Sequence, residues 1–325
     1  MTKKMANTTH YKAVVLDEKS FNPGDLDLSG LYTLLDDWTI YESTTSEQRL
    51  ERLENADIVI ANKVVLDQPL LEKLPQLKLI LLTATGMDNV DLAFCKQQGI
   101  TVKNVTDYCT ASVSQHVFSM ILALSTQLFS YQKLTKSGDW SRSGQFSSLE
   151  FPIQELSGKT LGLVGYGSLA KGVEKIAIAF GMNIIISQRA GTQEFVADRL
   201  PLDELLPQAD VVSIHCPLTP ETKHLFGAKE FGLMKNSALL INTARGGIID
   251  NQALAIALRD KVIAGAGIDV LEQEPPPLDH PLISAKLPNL ILTPHIAWAA
   301  IEARQRVIDK VAENLQRFLQ TYQHL

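Results

Sequence analysis

The segment Thr160–Gly172, TLGLVGYGSLAKG, constrains the chain more than any other. A short apolar run (Leu161, Leu163, Val164) meets Gly165-Tyr166-Gly167-Ser168-Leu169-Ala170. Apolar residues then recur with helical spacing at Leu169, Val173, Ile176 and Ala177. Strand, tight glycine turn and helix in this order predict a βα unit that accepts the pyrophosphate of a dinucleotide. Gly165 permits the turn, Gly167 lets phosphates approach the backbone, and Ala170 keeps the helix close to the strand. The N–H groups and positive dipole at the helix start favour anionic oxygens. A bare glycine turn also occurs where a strand merely feeds a helix. Here the flanking strand, the helix and an arginine at the end of the following strand strengthen the dinucleotide reading.

The 325 residues suffice for two ordinary domains with substantial cores. A net charge of −6 gives no support to nucleic acid or an anionic membrane as partner. No apolar run reaches the length of a bilayer span. The N-terminal MTKKMANTTHYK lacks an apolar core, so no secretory leader is expected and the expected compartment is the cytoplasm. Cys95, Cys109 and Cys216 are scattered, which predicts reduced thiols and no metal site.

Strands are expected over 12–17, 38–42, 57–61, 77–82 and 100–103. Helices are expected over 28–37, 46–55 (with Ser46 as N-cap), 67–74 and from the 83–91 loop to about Gln98. This alternation predicts a parallel α/β sheet. A long apolar helix is expected over 112–128 as a buried inter-domain or interface element. The 136–150 stretch reads as a polar loop whose Trp140 and Phe146 would anchor against another surface. Six further strands are expected at 161–164, 183–187, 210–215, 238–242, 264–268 and 290–293, the number of a full doubly wound Rossmann sheet. A long amphipathic helix over 301–322 closes the chain. The fold class is therefore α/β with two domains: a Rossmann-type doubly wound parallel sheet and a smaller flavodoxin-like α/β domain. The expected division is 1–107, completed by 297–325, for substrate, and 108–296 for NAD(P).

In such sheets ligands bind beyond the carboxyl ends of the strands. The residues there are Gln188-Arg189, His215-Cys216-Pro217, Thr243-Ala244-Arg245-Gly246-Gly247, Asp269 to Glu274, and Pro294-His295. Arg245 carries a planar fork of donors suited to a carboxylate, and Gly246-Gly247 would let a ligand approach the backbone. Arg245 alone would also suit a surface ion pair. His295 could give a proton to a carbonyl oxygen or take one from a hydroxyl; alone it could equally be a core histidine. Glu274 would orient His295 and favour its charged form, with Glu272 equally available by composition. Asp269 could accept from a nicotinamide carboxamide or simply cap a turn.

Together these residues carry a family pattern. The chain resembles the D-isomer-specific 2-hydroxyacid dehydrogenases in TGMDNVDL (85–92), NVTDYCTASVSQHVF (104–118), ELSGKTLGLVGYGSLA (155–170), HCPLTPETKHLF (215–226), NTARGGIID (242–250), AGAGIDVLEQEPP (264–276) and TPHIAWA (293–299). The TASVSQHVF form, the Trp140 loop and PHIAWA look most like the glycerate dehydrogenase or hydroxypyruvate reductase branch. The resemblance implies Arg245 as substrate-binding arginine, His295 as acid/base that also contacts the cofactor, Glu274 rather than Glu272 as its partner, and Asp269 as the nicotinamide-amide ligand. It implies a substrate-carboxylate loop at Thr85, Gly86 and Met87, and pyrophosphate contacts at Ser168 and Leu169. His215, Cys216, Pro217, Thr222, Thr243 and Ala244 would wall the cofactor cleft. It further implies a homodimer formed through the helix after Ser112 and the Trp140 loop, and closure of two domains around the reaction.

Two departures bear on the cofactor. Ala170 replaces the third glycine, which is tolerated. The second strand of the Rossmann sheet ends Ser187-Gln188-Arg189, with no carboxylate to bond a ribose 2′-OH or repel a 2′-phosphate. This points to NADPH, or to use of both cofactors; alternatively Gln188 bonds the ribose unaided and Arg189 covers the adenine. The expected activity is NAD(P)-dependent reduction of hydroxypyruvate or glyoxylate, with a larger 2-keto acid as the alternative substrate. Formate oxidation is disfavoured because the formate enzymes of this family carry Gln where Glu274 stands. A dinucleotide-sensing corepressor-like scaffold is the non-enzymatic rival. Long interaction tails would mark it, and about ten residues precede the first expected strand.

Overall fold

The computed structural model describes residues 10–192 and 194–322. Residues 1–9 of the N-terminal stretch and 323–325 of the last expected piece lie outside the described residues. The chain divides into two compact units, Met1–Cys109 with Ala299–Leu325, and Thr110–Trp298.

The first unit carries β1 (Lys12–Val15), β2 (Asp37–Ile40), β3 (Ile58–Ala61), β4 (Leu79–Leu82) and β5 (Thr101–Lys103). They form one parallel sheet in the order β2-β1-β3-β4-β5. This is the flavodoxin-type order. Every residue of β3 and β4 is buried, because helices cover both faces of a central parallel strand and no position can be polar. The helix Ile301–Tyr322 returns to this unit. Arg304 donates from both terminal nitrogens to the Asp25 carboxylate at 2.7 Å, Arg306 donates to Tyr108 O, and Asn314 to Asn104 O. These three side chains tie the chain's last helix to the segments around Asp25 and over 104–108 of the same unit.

Two helices of this unit are shorter than their expected spans. The helix expected over 28–37 is only Ser29–Tyr32, because Asp37 already pairs in β2. The helix expected from Ser46 begins at Arg49, and Gln48 sits at the cap position without a side-chain cap bond. The Gln48 side chain accepts from Thr45 N–H instead, so a turn occupies residues 45–48.

The second unit carries β6 (Thr160–Val164), β7 (Asn183–Ile186), β8 (Val211–Ile214), β9 (Leu239–Asn242), β10 (Gly265–Ile268) and β11 (Leu290–Leu292). All six are parallel, in the order β11-β10-β9-β8-β6-β7. The first strand of the unit therefore sits between the second and third, and the order reverses there. That switch point is where doubly wound sheets bind ligands, and the glycine turn follows β6 directly.

The apolar helix spans Thr110–Ser125 rather than 112–128. Gln127 takes φ +53°, and a separate helix runs over Leu128–Lys136. The buried face of the Thr110–Ser125 helix packs within its own unit. A Cβ on Gly172 would lie 2.5 Å from Ser114 Oγ, and one on Gly267 would lie 2.7 Å from Met120 Sδ. Those two glycines let the helix lie close to its neighbouring helix and to β10. The 136–150 stretch is not wholly a loop, since Asp139–Ser143 is helical and Trp140 donates to Gln145 O. Phe146 is 96 % exposed and Leu149 89 %.

Candidate active site

The glycine turn acts through two glycines with opposite reasons. Gly165 has φ +91°, and a Cβ there would lie 2.6 Å from Cys216 N and 2.7 Å from the His215 carbonyl carbon. The approach of β8 therefore demands glycine. A Cβ on Gly167 would meet no protein atom within 4 Å. Nothing in the fold requires glycine there, so the open space suits a ligand lying against the backbone. Gly167 is the N-cap of the helix Ser168–Ala179, which places Ser168 and Leu169 in its first turn. Ala170 is completely buried.

A cleft of about 860 Å³ opens at the ends of β6, β7 and β8. Of the expected cofactor residues, Gly165, Gly167, Gln188, Arg189, His215, Cys216, Pro217 and Thr222 line it. Thr243 and Ala244 lie beyond β9, outside that lining. The charged side chains of the lining are Arg189, Arg199 and Glu221. The volume, the cradle at Gly167 and the two guanidinium groups fit a dinucleotide with two or three phosphates.

Gln188 does something the sequence did not suggest. Its amide nitrogen donates to Val196 O at 2.9 Å and Arg199 O at 3.1 Å, and its oxygen accepts from Val196 N–H. The side chain straps the 196–199 segment to the end of β7, which engages both of its amide hydrogens within the protein. The same strap brings Arg199 to the cleft, with its guanidinium carbon 5.8 Å from the Tyr166 ring centre. Arg199 was not foreseen, because the residue tethering it lies eleven positions away.

Burial pushes His215 down to about 4, and its Nε2 lies 2.9 Å from Ser213 Oγ. The imidazole is therefore neutral at pH 7. An unfolded chain would protonate it near its ordinary 6.5, whereas the folded chain resists until about pH 4. The stability that neutral His215 allows is intact above pH 6.5 and is lost as pH falls toward 4. His215→Gln is expected to recover roughly 2 kcal/mol of that acid loss at pH 4.5, read as the change in denaturant midpoint between pH 7 and 4.5 relative to wild type. Burial also raises the Cys216 thiol to about 11, so it is no nucleophile at neutral pH.

The other half of the rim belongs to β9, β10 and β11. Arg245 follows β9 with extended backbone, and its Nη1 donates to Ala244 O at 2.8 Å. The loop is built by Asn242, fully buried, which donates to Arg245 O and accepts from Ala244 N–H. The fold itself requires glycine at position 246. A Cβ there would lie 1.9 Å from the Leu271 carbonyl carbon and 2.4 Å from Glu272 N. It is glycine because the loop after β10 crosses it at backbone contact. Gly247 likewise faces the Leu218 side chain. The close approach at Gly246 sets the Arg245 loop against the Leu271–Glu274 loop.

The two candidate carboxylates divide their work. Glu274 Oε2 lies 2.6 Å from His295 Nδ1, and its other oxygen accepts from Leu271 N–H. Glu272 instead lies 2.6 Å from His224 Nε2. His295 takes φ +56°, uncommon for a residue with a side chain. Asp269 is buried, and its oxygens accept from Thr293 Oγ1, Ile296 N–H and Ala297 N–H. These bonds commit the side chain to the turn that carries His295. Burial alone would raise the carboxyl, but those bonds and His116 outweigh it and hold it below the usual range. Among the described residues no cluster could hold a metal ion.

The loop at Thr85, Gly86 and Met87 follows β4 in the first unit. Thr85 Oγ1 donates to Val105 O at 2.8 Å, and Asn104 donates to Thr85 O at 2.7 Å. The loop is thus pinned to the chain after β5.

A glycine cradle at the switch point of a parallel sheet, with an oriented histidine and an arginine on the same rim, defines a dinucleotide-dependent oxidoreductase. Residues 118–297 match the family described as D-isomer specific 2-hydroxyacid dehydrogenase, NAD binding domain. The glycerate dehydrogenase of Methylorubrum extorquens is 45% identical over 280 residues, covering 86% of this chain and 88% of the relative. The hydroxypyruvate reductase of Blautia hydrogenotrophica is 36% identical, covering 95% of this chain and 97% of the relative. A solved acyclic imino acid reductase, in complex with NADPH and D-Arg, superposes with TM-score 0.83 at 29% identity, covering 95% of this chain and 97% of that one. The chain belongs to the D-isomer specific 2-hydroxyacid dehydrogenases. It is a 2-hydroxyacid oxidoreductase that uses NAD or NADP.

Proposed function

We propose that the chain reduces hydroxypyruvate to D-glycerate or glyoxylate to glycolate, and in reverse oxidises D-glycerate. The observation that carries the reading is the 2.6 Å His295–Glu274 pair, two strands from Arg245 and on the rim that holds the dinucleotide cleft. The names of the two relatives support the substrate class.

When bound, the reduced nicotinamide supplies the hydride that the keto carbon accepts. Arg245 binds the carboxylate and the carbonyl side of the substrate, as a planar fork can. The Thr85–Met87 backbone belongs to the same reading as a carboxylate-binding loop. His295, protonated, gives its proton to the oxygen as the carbonyl becomes an alkoxide, so one hydride and one proton convert ketone to alcohol. Glu274 holds Nδ1 and stabilises the imidazolium before the transfer. Positive charge from Arg245 and His295 meets the negative charge developing on that oxygen, which is where preorganised electrostatics lowers a barrier.

For the cofactor, Arg189 and Arg199 on the cleft wall and a second strand without a terminal carboxylate support NADPH, or both cofactors. The exposed Phe129, Trp140, Phe146 and Leu149 support a homodimer that covers them. Three free thiols fit the reducing cytoplasm. The test is a steady-state panel of glyoxylate, hydroxypyruvate and larger 2-keto acids with NADH and NADPH. Hydroxypyruvate or glyoxylate should give the highest kcat/KM; a larger acid ahead of both would refute the substrate. In the same panel Arg189→Ala should raise KM for NADPH about tenfold more than for NADH, in line with loss of one charge-assisted bond to a 2′-phosphate. Equal losses would mean Arg189 does not read that group.

A further inference from the structure

We propose that His116 and Thr293 are positioning residues for the acid–base site, acting through Asp269 on the turn that carries His295. The inference rests on the proton-transfer role proposed for His295. His116 stands on the Thr110–Ser125 helix, outside the cofactor cleft. Its Nε2 lies 3.0 Å from Thr293 Oγ1 and 3.5 Å from Asp269 Oδ1. Thr293 Oγ1 donates to Asp269 Oδ1 at 2.5 Å.

The direction of each bond follows from chemistry. An ionised carboxylate only accepts, so the single hydroxyl proton of Thr293 is committed to Asp269. Thr293 Oγ1 can then only accept from His116, which places a proton on Nε2. Asp269, so oriented, receives Ile296 N–H at 2.9 Å and Ala297 N–H at 2.8 Å, and its backbone oxygen receives His295 N–H at 2.8 Å. Three successive N–H groups of the turn thus end on one residue. The helix reaches the turn a second time, since Ser112 Oγ donates to Ala297 O at 2.6 Å. Trp298 Nε1 closes the turn on His295 O at 2.9 Å.

This arrangement has work to do. His295 sits at φ +56°, an unfavourable conformation for a residue with a side chain that persists only where its surroundings over-determine it. Loss of one bond from the chain would let the turn relax and swing the imidazole. A displacement of about 1 Å at a reacting group can cost about 10²-fold in rate. The side chains that prevent this come from β10, β11 and a helix that precedes the whole sheet.

The experiment compares Thr293→Val, His116→Phe, the conservative Thr293→Ser and His116→Gln, and His295→Asn in the full chain. Thr293→Val removes the hydroxyl without changing shape. It and His116→Phe are expected to lower kcat at least tenfold, with the Kd for NADPH, read by its fluorescence, unchanged within about twofold. Thr293→Ser and His116→Gln should restore most of kcat. The proposal is overturned if Thr293→Val and His116→Phe keep wild-type kcat while His295→Asn is inactive. It is also overturned if kcat and NADPH affinity fall together and neither conservative variant restores them, since that marks general damage to the unit. Full turnover by His295→Asn would remove the proton-transfer role itself, and this proposal with it.

Discussion

His295→Asn is expected to lower kcat by about 10²–10⁴-fold, the usual contribution of a positioned acid–base group, with cofactor affinity unchanged. Asparagine keeps a polar group near Glu274 but has no proton to exchange at neutral pH. In wild type the 2.6 Å contact with Glu274 occupies Nδ1, which leaves Nε2 as the nitrogen that meets the substrate oxygen. The cleft at the ends of β6, β7 and β8 is not lined by His295. Steady-state kinetics and a fluorescence titration of NADPH therefore separate the two effects. A parallel fall of kcat and cofactor affinity would contradict the role assigned to the imidazole.

Gly246→Ala should be the most damaging single-methyl substitution in the second unit. The added Cβ would stand 1.9 Å from one backbone atom of Leu271 and 2.3 Å from another. Backbone atoms cannot rotate away as a side-chain tip can, so one of two loops must move. Overpacking of this kind costs about 1–3 kcal/mol, which in a unit of this size lowers Tm by roughly 3–10 °C. The loops that would separate carry Arg245 on one side and Glu274 on the other, so kcat/KM should fall with stability. Gly167→Ala is the matched control, because no protein atom lies within 4 Å of its Cβ position. That variant should melt with wild type and lose dinucleotide affinity. Thermal melts and cofactor titrations on the two proteins check both statements; equal Tm losses would show that the glycines are alike.

Much of the molecule was legible in the chain. Alternating apolar runs and helical spacings located all eleven strands within a few residues, because parallel strands buried on both faces have few other compositions open to them. The glycine turn and the strand-end residues Arg189, Arg245, Glu274 and His295 were visible because topology confines ligands to one rim. Short helices were misjudged at their ends. Ser46 looked like a cap, but a turn through Thr45 and Gln48 displaced it. The helix expected to Leu128 broke at Gln127, whose left-handed backbone carries no mark in composition.

What the sequence by itself determined is therefore what depends on near neighbours: the α/β alternation, the glycine turn after the first strand of the second unit, and the kinds of side chain presented at each strand end. Only the tertiary structure decided which partner each of those side chains holds. Gln188 straps Val196 and Arg199, Glu272 pairs with His224, Gly246 yields to the Leu271 backbone, and Asp269 is claimed by Thr293, His116 and the His295 turn. The Thr293–Asp269 and His116–Thr293 bonds join residues 24 and 177 positions apart. A hydrogen bond needs its two atoms within about 3 Å, and only the packed sheet brings such distant residues that close.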